Sequence, residues 1–170
     1  MKRKNVIVAF LILLVLVLSV LIGQYITILL IQRDDSISRE DLTITKLLTE
    51  INKFRASHKL AELKFDPRLI KTAKAKAELM LNTNCWSHYC PDLPWHFYDE
   101  EKYDYRYASE NLARNQNTAQ EVIELWRNSA PHLETMMSQK YTDVGFYFVR
   151  GEFQGVKNAV IIVAHFGSEV

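Results

Sequence analysis

Glu110 and His132 close the two ends of one stretch, Tyr107 to His132, and His88 lies upstream of it. A carboxylate and imidazoles are groups that can share a proton or a divalent metal. Two imidazoles and one carboxylate form a zinc set that leaves a fourth position open for water. Such a site lowers the pKa of its bound water towards ~7. The plainer assignment is that Glu110 and His132 hydrogen-bond each other or the backbone and hold strand and helix in register. Cys85 and Cys90 bracket His88. In an oxidising exterior they close a disulfide loop of about six residues, contributing on the order of 2 kcal/mol. The alternative makes them thiolate ligands beside His88. No nucleophile motif such as G-x-S-x-G is present, so a covalent mechanism has no support.

The remaining histidines carry less. His58 ends the first predicted helix, where a cation suits the helix dipole. His96 lies in an aromatic loop, at the surface or on a cleft rim. His165 alternates with Val163 on the last predicted strand; it faces a helical layer or the cleft, with core packing and a satisfied ring nitrogen as the default.

The elements that must position these residues follow from periodicity. From Leu42, residues Ile44, Leu47, Leu48, Ile51 and Phe54 fall on one helical face, with Asp41 as the expected N-cap. Asp66-Pro67 opens a second helix, Asp as N-cap and Pro at the first helical position, burying Leu69, Ile70, Ala73, Ala77, Met80 and Leu81. Asn82 to Lys102 reads as a long loop pinned by its rings. A strand falls within Tyr103 to Leu112. Thr118-Ala119-Gln120-Glu121 fits a capping box for a third helix with Val122, Ile123 and Trp126 inward, and Pro131 opens a short fourth through Met137. Val144, Phe146 and Phe148 alternate with their neighbours, and Ala159 to Phe166 is almost wholly apolar. Together they predict a terminal hairpin whose second strand is buried on both faces.

Ahead of all this, Lys2-Arg3-Lys4 precedes a charge-free run from Val6 to Ile31. As a helix the run is roughly 39 Å long, more than a ~30 Å hydrocarbon core needs. The flanking charges predict an N-terminus in the cytoplasm and everything from Gln32 onward outside. The organisation expected is therefore a cytoplasmic tail and transmembrane signal anchor over 1–31, a juxtamembrane linker over 32–41 and one domain over 42–170. Membrane contact is through residues 6–31. A cleaved signal peptide, giving a secreted protein, is the competing reading, against which stand the length of the run and the lack of an A-x-A-like site. With 21 basic and 20 acidic residues the net charge is +1. That balance, with no basic-aromatic run, excludes a nucleic-acid surface. Two cysteines are too few for a disulfide scaffold, so a hydrophobic core must carry stability.

Seven pieces in order resemble the CAP superfamily (cysteine-rich secretory proteins, antigen 5, pathogenesis-related 1), also called SCP domains. They are Ile51-Asn52-Lys53-Phe54-Arg55, Leu63-Lys64-Phe65-Asp66-Pro67-Arg68-Leu69, Ser87-His88, Glu110-Asn111-Leu112-Ala113, Trp126-Arg127-Asn128-Ser129-Ala130-Pro131-His132, Tyr141-Thr142-Asp143-Val144-Gly145 and Phe166-Gly167. The Ser-x-Pro-His form and the lack of extra cysteines look like the bacterial branch. The resemblance implies an α+β fold, an α-β-α sandwich with a central antiparallel sheet. It also implies a cleft in which His88, Glu110 and His132 meet and hold zinc or another divalent metal. Many members carry a further glutamate where this chain has Ser129, which leaves the site one ligand short; Glu124 and Glu134 are near in sequence. Two functions follow, beside a third reading in which the chain is a tethered structural domain without a ligand. The first is an extracytoplasmic binding module for lipid, cell-wall material or a protein, with the apolar supply for its groove in the loop from Trp86 to Tyr98. The second is a metal-dependent hydrolase of peptide or cell-wall bonds through the same three residues.

Overall fold

The structure is a computed structural model and describes residues 13–29, 41–90 and 95–170. Residues 13–29 are helical (α1), their apolar side chains exposed. Among the described residues no helix is long and apolar enough to cross a membrane. The ends of the predicted anchor, 6–12 and 30–31, and most of the linker lie outside the described residues. Asp41–Val170 forms a separate compact unit.

That unit opens with α2, Ile44–Ser57, capped by Thr43 accepting from Lys46 N, where the sequence pointed to Asp41. Its buried stripe, Leu47, Ile51 and Arg55, follows i, i+4, i+8. Arg55 ends the stripe and donates to the carbonyls of Ala61, Met136 and Ser138 at 2.7–2.9 Å, tying helix to distant chain. Strand β1, Lys64–Phe65, precedes α3, Pro67–Thr83, whose Asp66 cap and Pro67 start match the sequence reading. The predicted long loop instead contains a helix, α4 (Trp95–Glu100), with Phe97 and Tyr98 buried. Next come β2 (Tyr105–Arg114), α5 (Ala119–Arg127, with the full capping box), α6 (Ala130–Met137), β3 (Asp143–Phe153) and β4 (Val156–Glu169).

The sheet order is β1-β3-β4-β2, antiparallel except that β1 runs parallel to β3. The central sheet is thus mixed, a correction to the purely antiparallel expectation: β1 is reached by the α2–α3 connection and adds beside β3 without a hairpin. Alternation along β4 sends Val160, Ile162, Ala164 and Phe166 to one core with α2 and α5, and Ile161 and Val163 to another with α3. Gly145 is required by that second contact, since a Cβ there would lie 2.0 Å from the Leu69 carbonyl carbon.

Candidate functional site

Glu110 lies on β2 directly opposite His165 on β4, and the strand alternation turns both toward α3. His165 Nε2 donates to Glu110 Oε2 at 3.0 Å, and its Nδ1 lies 2.8 Å from Thr72 Oγ1 on α3. His88 Nδ1 donates to the other oxygen, Glu110 Oε1, at 2.6 Å. The carboxylate is therefore engaged at both oxygens by imidazoles. Burial alone would raise its pKa. The hydrogen bonds from His165 and His88, with the electrostatic pull of His165 and Lys76, outweigh burial and hold it at about 2. The polar column that results runs Thr72–His165–Glu110–His88, buried at three members and open only at His88.

His88 sits on the short loop between Cys85 and Cys90, which are joined as a disulfide with Cα atoms 6.0 Å apart. A second fastening comes from the fully buried Lys76 on α3. Its Nζ donates to the carbonyls of Ser87, His88 and Cys90 at 2.9–3.1 Å. Burial pulls the Lys76 ammonium below the ordinary lysine range, and Glu110 pulls the other way.

His132 reaches the same cleft from α6. Its ring centroid is 6.5 Å from that of His88. Its pKa lies below the ordinary imidazole value, through burial first and the neighbouring His88 second. Its Nδ1 is buried without a partner among the described residues, as is Asn111 Oδ1, while Asn111 Nδ2 holds the His132 carbonyl at 3.2 Å. The cleft has a volume of about 380 Å³, within the range of ligand pockets. Trp95, Tyr89 and Pro131 give it apolar walls; Ser109, Thr135 and the two histidines give it polar ones.

The three residues singled out from sequence thus line one cleft, with different roles from those expected. Glu110 pairs with His88 and His165, and among the described residues no hydrogen bond joins it to His132. Ser129 lines the cleft as the N-cap residue of α6, without a capping side-chain bond. Glu124 turns to Arg127 and Asn128, and Glu134 lies outside the cleft lining. His58 is the exposed C-cap of α2, and His96 on α4 packs against Phe97.

A divalent ion held by His88, Glu110 and His132 would need a free carboxylate oxygen. Both are taken, and the Glu110 side chain is 2% exposed. Among the described residues no group of three or more His, Cys, Asp or Glu side chains is arranged to hold a metal. The residues as placed do not fit a three-ligand ion. Two imidazoles remain, fewer than a zinc centre uses.

Sequence reading missed two members of the site and the pairing of a third. Thr72 and Lys76 sit four apart inside the apolar stripe of α3, among Leu69, Ala73, Ala77 and Met80. A hydroxyl and an ammonium on a buried face were the available signal. His165 was seen, but its partner depended on register with β2.

A family model described as "Cysteine-rich secretory protein family" matches residues 48–166. Uncharacterized protein YkwD of Bacillus subtilis is 30% identical over 106 residues, 61% of this chain and 41% of that protein. Uncharacterized membrane protein YlbC of the same organism is 28% identical over 59% of this chain and 30% of its own length. The chain therefore spans less than half of either curated relative. Among solved structures, an outer surface protein from Borrelia burgdorferi superposes with a TM-score of 0.68 at 24% identity, covering 78% of this chain and 96% of that one. The helix-covered sheet and the match over residues 48–166 lead to one assignment: the chain belongs to the cysteine-rich secretory protein (CAP) family, among its bacterial SCP-domain members.

Proposed function

We propose that this protein is a membrane-tethered, extracytoplasmic binding module whose site is the cleft between β2 and α6. The observation that carries the reading is the state of Glu110. Its charge is internal, spent on His88 and His165, so the carboxylate builds the cleft and presents His88 but is not available to a substrate. What remains open is a pocket of apolar rings and a few polar groups, the composition of a binding site. Two further points support a non-catalytic role. Among the described residues no hydrogen bond joins a serine or cysteine side chain to His88 or His132, and Ser109 Oγ is paired with Thr135 Oγ1 at 2.9 Å. The tether rests on the charge-free run of 6–31 and its flanking charges. A relative named as a membrane protein and a fold neighbour named as an outer surface protein are consistent with the outside location.

Thermal unfolding of the full-length chain in detergent tests the reading, with lipid, cell-wall fragments and peptides added in turn. A ligand at about 100 times its Kd stabilises the folded state by ~2.7 kcal/mol. At least one class should raise Tm for the wild type and not for Ser129→Trp, which fills the cleft at a position with no capping bond to lose. Equal shifts in both proteins, or no shift with any class, would remove the cleft as the site. The runner-up, a metal-dependent hydrolase through His88, Glu110 and His132, requires Glu110 to free a carboxylate oxygen from its imidazole partners. Stoichiometric zinc binding lost in His88→Ala and His132→Ala, together with turnover of peptide or cell-wall bonds, would favour it.

A further inference from the structure

The strand order leaves β2 at one edge of the sheet. Two observations fix which of its main-chain groups face outward. Asn115 N donates to Val160 O at 2.8 Å in continuation of the β2–β4 register, so Ser109, Asn111 and Ala113 bond toward β4. Ala108, Glu110 and Leu112 then turn their N–H and C=O groups away from the sheet. Trp126 Nε1, which reaches Leu112 O at 2.9 Å from α5, agrees with that phase.

The edge is closed at one end by that tryptophan and broken at the other by the register shift between Tyr105 and Tyr107. Between them the outward main-chain groups of Ala108 and Glu110 receive no hydrogen bond from any described residue. Glu110 as a whole is 7% exposed while its side chain is 2% exposed, so the part that faces the cleft is main chain. The cleft walls flank this short edge at its Glu110 end, with Ala108 just beyond the lining residues. His88, Tyr89 and Trp95 stand on the α3 side, and Pro131, His132 and Thr135 on the α6 side.

The occupant must suit those groups. Among the described residues no lysine or arginine lines the cleft, so a carboxylate or phosphate headgroup would find no ammonium or guanidinium partner there. Amide groups in an extended chain match what the edge offers. We propose that the cleft takes an uncharged, extended polypeptide segment that adds as a strand to the Ala108–Glu110 edge of β2. This rests on the binding-module reading and gives it a ligand class. Three residues at ~3.4 Å each span about 10 Å, so the main-chain contact holds two or three residues of the segment. Side chains then alternate between the two walls. One goes to the aromatic wall of Tyr89 and Trp95. The next meets the α6 wall of Pro131, His132 and Thr135.

The test uses the full-length chain in detergent and a display library of random heptapeptides, followed by synthesis of the enriched sequence. Each backbone amide of that peptide is N-methylated in turn. Affinity should fall about 10-fold or more at alternate amides and little at those between, the loss expected for one main-chain bond. Ser129→Trp should abolish binding. Ala108→Pro, which removes an outward N–H where an edge strand tolerates proline, should weaken it about 5- to 10-fold. Should Ala108→Pro fail to fold by circular dichroism, the N-methyl series on the wild type decides alone. Indifference to N-methylation, or no enrichment over Ser129→Trp, overturns the inference. Stabilisation of the wild type by phosphatidylglycerol micelles or oleic acid without peptide enrichment also overturns it, yet leaves the binding module standing. No stabilisation by any probe removes both.

Discussion

Replacing Glu110 by glutamine keeps the side-chain volume and removes the charge on which the polar column is built. Glutamine offers one carbonyl oxygen to two imidazole N–H donors, and its amide group confronts the second. Lys76 also loses the negative group that supports its buried ammonium. The gap between about 2 and the ordinary 4.5 of the Glu110 carboxyl corresponds to about 3 kcal/mol of folded-state preference for the ionised form. Two hydrogen bonds to a charged group, at ~1.5–3 kcal/mol each, give a figure of the same order. The folded carboxyl is depressed, so its contribution is fully present above pH ~4.5 and is lost as pH falls toward about 2. Urea unfolding of the full-length chain should therefore show Glu110→Gln less stable than wild type by about 3 kcal/mol at pH 7. The wild type should lose stability as pH falls from about 4.5 toward about 2, and the variant should lack that part of the decline. A variant within about 1 kcal/mol of wild type at pH 7, or the same acid slope in both proteins, would refute the reasoning.

Four other outcomes are expected. Lys76→Met leaves three carbonyls unpaired, which should cost about 2–4 kcal/mol and speed amide exchange in residues 85–90, read by mass spectrometry. Reduction of Cys85–Cys90 should cost about 2 kcal/mol in urea unfolding and leave the far-ultraviolet circular dichroism spectrum unchanged, since the closed loop is short and local. Gly145→Ala drives a Cβ into the Leu69 backbone, and a loss of about 3 kcal/mol or more should appear as failed expression or a collapsed Tm. Protease added to intact spheroplasts should remove the domain and spare the N-terminal tail; protection until lysis would overturn the N-in orientation.

Local rules made most of the fold legible. Asp66-Pro67, the Thr118–Glu121 box and the Ala159–Phe166 run each specify their element through contacts within a few residues, and the structure places α3, α5 and β4 there. Where the outcome depends on distant chain, the reading fell short. α4 has only six residues, too few for a helical period to emerge among the rings of its loop. β1 has two residues and exists because β3 lies beside it, with Lys64 N bonded to Thr142 O at 2.9 Å. Thr43 caps α2 in place of Asp41 because its hydroxyl lies one turn from Lys46 N, a choice between two good caps that sequence alone leaves open.

The site was legible in its list of residues and not in their pairing. Each residue's segment could be read, but the partner of Glu110 is decided by register: β2 and β4 meet with Glu110 opposite His165, and a slip of one residue would put them on opposite faces. His132, the hydrogen-bond partner expected from the sequence, approaches from α6 on the other side of the strand, where Asn111 holds its carbonyl. The two polar residues in the α3 stripe follow the same logic. Thr72 and Lys76 would be errors in an isolated amphipathic helix, and each is satisfied by a group that another element delivers, His165 for one and the His88 loop for the other. A buried polar residue in an otherwise apolar stripe therefore says that something polar must arrive there. Here what arrives is the apparatus that presents His88 to the cleft.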